Sequence, residues 1–95
     1  MIIVITFAVK ERYSGYFASC MNEVSTGVYV STISPPPFRE KLLDTINRWW
    51  EVYNEGSINV IWYDIQQPSK INFINYGEPK RELIPFQSLL LTKID

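Results

Sequence analysis

Residues 2 to 9, Ile-Ile-Val-Ile-Thr-Phe-Ala-Val, are almost continuously apolar and rich in β-branched side chains. Such a run predicts a buried first strand, covered on both faces or central in a sheet. The period then changes: Tyr13, Tyr16, Phe17, Cys20, Met21 and Val24 recur at helical spacing, which predicts a helix from about residue 12 to 24 with one apolar stripe. Ser25-Thr26-Gly27 is turn chemistry. The β-branched and aromatic segment Val28-Tyr29-Val30-Ser31-Thr32-Ile33 predicts a strand, alone or as the second arm of a very short hairpin. Ser34 and the prolines at 35, 36 and 37 stop it, because proline donates no ladder bond. They lead into a helix whose first turn tolerates the missing N–H. Along that second helix Phe38, Leu42, Ile46, Trp49 and Tyr53 line one face, Asp44 and Arg48 pair four apart on the polar side, and Asn54-Glu55-Gly56 ends it.

Two further strands are predicted at 57–65 and 70–76, joined into a hairpin by the turn Gln66-Gln67-Pro68-Ser69. A polar connection, Gly77 to Glu82, leads to one last extended segment, 83–92, with Leu89-Leu90-Leu91 at its heart. This order of strands and helices predicts an α+β, ferredoxin-like βαββαβ sandwich, with both helices on one face of an antiparallel sheet and an extra C-terminal strand. The division that follows is a core over 1–76 and a linker with its terminal strand over 77–95. An apolar terminal strand after a polar linker can pair at a free sheet edge, its own or a second copy's.

Composition supports one globular domain: 95 residues, 46% hydrophobic, 15% aromatic and 20% charged. Three Trp, six Tyr and five Phe are many for this length, so some aromatic surface is expected to be covered by a partner. Cys20 is the single cysteine, which excludes an internal disulfide and a zinc-finger type of site and suits a reducing, cytoplasmic setting. The apolar run at the start is too short to span a membrane. Histidine is absent, so only carboxylates, Lys, Tyr, Ser, Thr or Cys20 are left for acid–base or nucleophilic chemistry. A formal net charge of −1 advertises no nucleic acid globally, and any such contact must come from local basic clusters.

The basic clusters are Lys10 with Arg12, after the first strand, and Lys80 with Arg81, before the last. Cations on loops flanking a rigid sheet suit phosphate contacts, and on the residues alone they read equally as ordinary solvated charges. Glu11 and Asp64 lie near strand ends and are the weak candidates for a metal-dependent nuclease. No Asp-x-Asp or Glu-x-x-Asp grouping accompanies them, so surface acids are the simpler reading. Tyr29 and Phe73 could sit on sheet faces as base-stacking rings, but Thr26-Gly27-Val28-Tyr29-Val30 departs from the RNA-recognition signature and favours core or dimer contact. Trp49-Trp50 reads as one core ring and one half-exposed neighbour, and Cys20 as buried filler.

Gly27-Val28-Tyr29-Val30, preceded by Asn22-Glu23-Val24 and followed by Phe38-Arg39-Glu40, together with Tyr76-Gly77 three residues before Lys80-Arg81 and an apolar terminal strand, forms one ordered pattern over nearly the whole chain. That pattern resembles the type I-E branch of CRISPR-associated protein two, the small partner of the CRISPR adaptation integrase. The resemblance implies a ferredoxin-like symmetric homodimer flanked by two dimers of the integrase, Cas-one, with double-stranded DNA held across the assembly before insertion at the CRISPR array. It implies a spacer and backbone clamp in which Arg12, Lys80 and Arg81 touch phosphates. The C-terminal strand, with Leu89, Leu90 and Leu91, would join the dimer and integrase contacts.

The chain also departs from the pattern. Val9-Lys10-Glu11-Arg12, then Ser14 and Tyr16, stand where the branch has two prolines and further arginines, and Ser31 stands where a second glycine follows the Gly-Val-Tyr-Val run. At the end of the first strand, where the family's proposed nuclease activity places an acidic metal ligand, this chain has Phe7 between Thr6 and Ala8. A phenyl ring cannot bind Mg²⁺. The expectation is therefore a non-catalytic adaptor without a cofactor or membrane partner. The alternatives are a Mg²⁺-dependent endonuclease of the same family acting on DNA or RNA, and a ferredoxin-like regulatory or toxin-like module unrelated to CRISPR.

Overall fold

The computed structural model describes residues 1–33 and 35–77 in full, and the backbone of 83–86 and 89–92. The chain runs β1 (Ile2–Phe7), α1 (Glu11–Cys20), β2 (Asn22–Ser25), β3 (Val28–Ser31), α2 (Pro36–Trp50), β4 (Ser57–Tyr63) and β5 (Ile71–Gly77). These first five strands form one antiparallel sheet in the order β2-β3-β1-β4-β5. β1 is central, as its apolar run predicts. The order β2-β3-β1-β4, with a helix after β1 and another after β3, is compatible with a ferredoxin-like fold, and β5 widens the sheet beyond β4.

Alternation along each strand decides which side is covered. Ile2 and Val4 of β1, Tyr29 of β3, and Ile58, Val60 and Trp62 of β4 share one face by register and are buried with Tyr13 and Phe17 of α1 and Leu42 and Ile46 of α2. Both helices thus cover the same face. Rings tie the layers together: Phe17 meets Tyr29 at 5.4 Å between centroids, Tyr13 meets Trp49 at 5.6 Å, and Trp50 meets Tyr76 at 5.7 Å. Each fully buried aliphatic side chain here contributes about 1.5–3 kcal/mol relative to exposure. On the opposite face the same registers gather Ile3, Ile5, Val28, Val30, Ile61 and Phe73. That face is less covered: Ile5 is 37% exposed, and Phe7, at the strand's end, is 69% exposed.

β3 and β4 each end two residues short of expectation, at Ser31 and Tyr63, and the elements differ at four further places. β1 stops at Phe7 rather than residue 9, because Ala8 turns the chain with a φ of +57°. α1 ends at Cys20, four residues early. Met21 is already extended and its amide donates to the Phe17 carbonyl, while Asn22 and Glu23 pair with Val30 and Tyr29 across the Thr26-Gly27 turn. Met21 still reaches the core from the helix end, so the helical stripe through it continued by coincidence into an edge strand where Val24 is exposed. α2 closes at Trp50, yet the amides of Val52 and Tyr53 both donate to the Trp49 carbonyl, so the turn carries on past the helix end. Finally, 83–92 is two strands, β6 (Leu83–Phe86) and β7 (Leu89–Thr92), paired antiparallel with Phe86 opposite Leu89. The polar pair Gln87-Ser88, two residues after Pro85, marks the reversal, but without Gly or Asn it is a weak turn signal in an otherwise apolar segment.

Candidate nucleic-acid interface

The register brings several expected site residues to one end of the sheet. Phe7 of β1 pairs with Ser57 of β4, and Ser57 pairs with Gly77 of β5, so the exits of β1 and β5 stand about 10 Å apart. Two glycines make that closeness possible. Gly56 has a φ of +78°, and a Cβ there would collide with the carbonyl oxygens of Phe7 and Ala8; one on Gly77 would collide with the Gly56 carbonyl. Lys10 and Arg12 follow β1 at this end. Lys80 and Arg81 follow Gly77 by three and four residues and lie outside the described residues, as do the side chains of Leu89, Leu90 and Leu91 in β7.

Lys10 precedes the first turn of α1, and its Nζ lies 3.4 Å from Oε1 of Glu55, both side chains being well exposed. Such a pair is worth less than about 1 kcal/mol in water and opens readily for a stronger anion. Arg12 is held differently. Its guanidinium carbon lies 4.4 Å from the Trp49 ring centroid and 4.3 Å from that of Tyr53. Behind this stack, the Tyr13 hydroxyl donates to the Tyr53 carbonyl at 2.7 Å, and Tyr16 packs edge-on against Trp49 at 5.4 Å. Trp49 and Trp50 are both half-buried, not one inside and one out: the first carries Arg12, and the second packs on Tyr76, whose hydroxyl donates to Asn47 at 2.7 Å.

The carboxylates do not converge. Glu11 opens α1, just past the Phe7 end of β1, whereas Asp64 follows the far end of β4, about 20 Å of strand away. Asp64 organises a turn instead. Its Oδ1 accepts from the Gln66 amide at 3.0 Å, its Oδ2 accepts from Asn72 at 3.4 Å, and its own amide donates to the Lys70 carbonyl. Beside Phe7 a shallow hollow is lined by Thr6, Ser14, Thr26 and one carboxylate, Glu23, whose Oε2 accepts from the Gly27 amide at 3.1 Å. Mg²⁺ takes several oxygen ligands in near-octahedral array, and a phenyl ring beside one turn-bound carboxylate does not fit it.

Tyr29 is core, 2% exposed, whereas Phe73 lies on the open face. Cys20 is half-buried, its thiol directed at the Tyr16 carbonyl at 3.4 Å, and burial pushes its pKa up, away from the thiolate form that reacts. The sequence reading missed Trp49 and Tyr53 as companions of Arg12. Their four-residue spacing, from the last turn of α2 into the turn beyond it, was legible, but which cation would meet them depends on how α1 crosses α2. Among the described residues, no helix is long and apolar enough to cross a membrane.

Against known proteins, the family described as "CRISPR-associated protein (Cas_Cas2CT1978)" matches residues 1–91. No curated protein matches the chain.

Proposed function

Since this chain belongs to that CRISPR-associated, Cas2-like family over residues 1–91, we propose that it is a non-catalytic DNA-binding adaptor of the type I-E branch. In this reading two copies form a homodimer that bridges two Cas-one integrase dimers and clamps duplex DNA by its phosphates during spacer acquisition. The observation that carries the reading is Phe7. An apolar, 69% exposed ring ends β1, with Lys10 and Arg12 following and the route to Lys80 and Arg81 leaving from the same end. Cations at one end of a rigid sheet bind a phosphate backbone without reading sequence.

The homodimer draws its support from the open sheet face. Ile3, Ile5, Val28, Val30, Ile61 and Phe73 form an apolar surface that a second copy of the same face covers by two-fold symmetry. Residues 1–76 are then the core, and 77–95 the segment that reaches partners, with Leu89, Leu90 and Leu91 as its apolar contacts. The clamp uses no cofactor, and the setting is the cytoplasm, where the array is.

Double replacement Lys80→Ala with Arg81→Ala tests the clamp. Filter binding of a labelled duplex to the joint complex with the integrase should weaken at least tenfold, and the slope of log affinity against log salt should fall by about four, two cations being lost from each copy of the dimer. Unchanged capture and slope would remove both residues from the DNA contact.

A further inference from the structure

Arg12 and Lys10 stand two residues apart at the same end of the sheet, but they are not prepared alike. Lys10 shares its charge with Glu55, on a flexible stem. Arg12 has its guanidinium over two rings at 4.4 and 4.3 Å. Both rings are supported: Trp49 meets Tyr13 and Tyr16 edge-on, and Tyr53 packs partly buried against the core while the Tyr13 hydroxyl holds its backbone carbonyl. A cation over aromatic faces keeps its full charge, because the rings supply no counter-ion.

We propose that Trp49 and Tyr53 are positioning residues for Arg12, holding its guanidinium in advance for an incoming DNA phosphate. The proposal rests on the reading of Arg12 as a phosphate contact. A long side chain normally loses rotamer freedom when it binds, and one already held loses less. Arg12 thereby offsets the thinner basic surface after β1, doing with one ordered donor what several mobile ones would do.

Trp49 and Tyr53 are four residues apart, and the amide of Tyr53 donates to the Trp49 carbonyl, so the turn past α2 keeps a helical spacing that sets both rings beside one cation. Arg12→Lys is not conservative here, because an ammonium lacks the planar, two-pronged donor set that phosphate accepts.

The test uses the joint complex with the integrase and a labelled duplex, titrated at several salt concentrations. Tyr53→Leu removes the ring but keeps the backbone carbonyl that Tyr13 uses. It should weaken capture about three- to tenfold with the salt slope unchanged, since the charge remains. Tyr53→Phe should bind as the parent does. Arg12→Ala should weaken capture and lower the slope by about two, one cation being lost from each copy of the dimer. Adding Tyr53→Leu to Arg12→Ala should cost nothing more, which a general packing defect would not produce. Full capture by Arg12→Ala would sink the phosphate contact itself. Loss with Arg12→Ala but none with Tyr53→Leu or Trp49→Leu would overturn only the positioning role, as would a Tyr53→Leu defect that adds in full to that of Arg12→Ala.

Discussion

Tyr13 joins the core to the candidate interface. It is fully buried, contacts Phe17, Trp49 and Trp50, and spends its hydroxyl on the Tyr53 carbonyl. Its position in a helical stripe made burial legible from the sequence. The hydroxyl's partner, forty residues on, was not, because only the crossing of two helices sets it. Tyr13→Phe should lower stability by about 0.5–1.5 kcal/mol in chemical denaturation, the cost of leaving the carbonyl without its donor. Burial raises the phenol pKa of both Tyr13 and Tyr76 above the ordinary value near 10. An acid whose folded pKa is raised adds stability that is fully present below the unfolded pKa and lost as pH rises through the folded one. Unfolding followed by circular dichroism should therefore become easier above about pH 10, and Tyr13→Phe should shallow that decline.

Elements were read well where the period was long and uninterrupted, and poorly where a chain reversal left no mark. α2 kept its face from Leu42 through Ile46 and Trp49, and its exposed Asp44–Arg48 pair formed at 3.3 Å as its spacing predicted. The β4–β5 hairpin likewise followed from its turn residues. The hairpin reading of the strand after Thr26-Gly27 holds, but its first arm, β2, was masked because Met21 satisfies the helical stripe and the core at once; the β6–β7 reversal was masked because apolar residues stand on both sides of Gln87-Ser88. The close junction of β1, β4 and β5 was only half visible. Gly56 was read as a helix terminator, whereas the structure also requires its lack of a Cβ beneath the Phe7 and Ala8 carbonyls. Gly56→Ala should cost about 2 kcal/mol or more, from the positive φ and the backbone displacement together, and should lower the melting temperature by several degrees.

Across the molecule, the candidate interface lies at the end of the sheet rather than in an enclosed pocket, and among the described residues it carries Lys10 at the N-cap of α1 and Arg12 in its first turn. The resemblance had fixed on Phe7, Arg12, Lys80 and Arg81 from order and spacing, and strand register now gives the first two a common end with Gly77. What the sequence did not disclose is the unequal preparation of the cations, one paired and one stacked. The acids Glu11 and Asp64, similar on paper, stand at opposite ends of β4's length. The central claim is that this protein holds DNA without cutting it. Its most direct test is to incubate the purified protein with labelled duplex DNA and RNA over a range of Mg²⁺ concentrations and resolve the strands on a denaturing gel. Full-length strands at every Mg²⁺ concentration are the predicted result; fragments that depend on Mg²⁺ and vanish with Glu11→Ala or Asp64→Ala would contradict it.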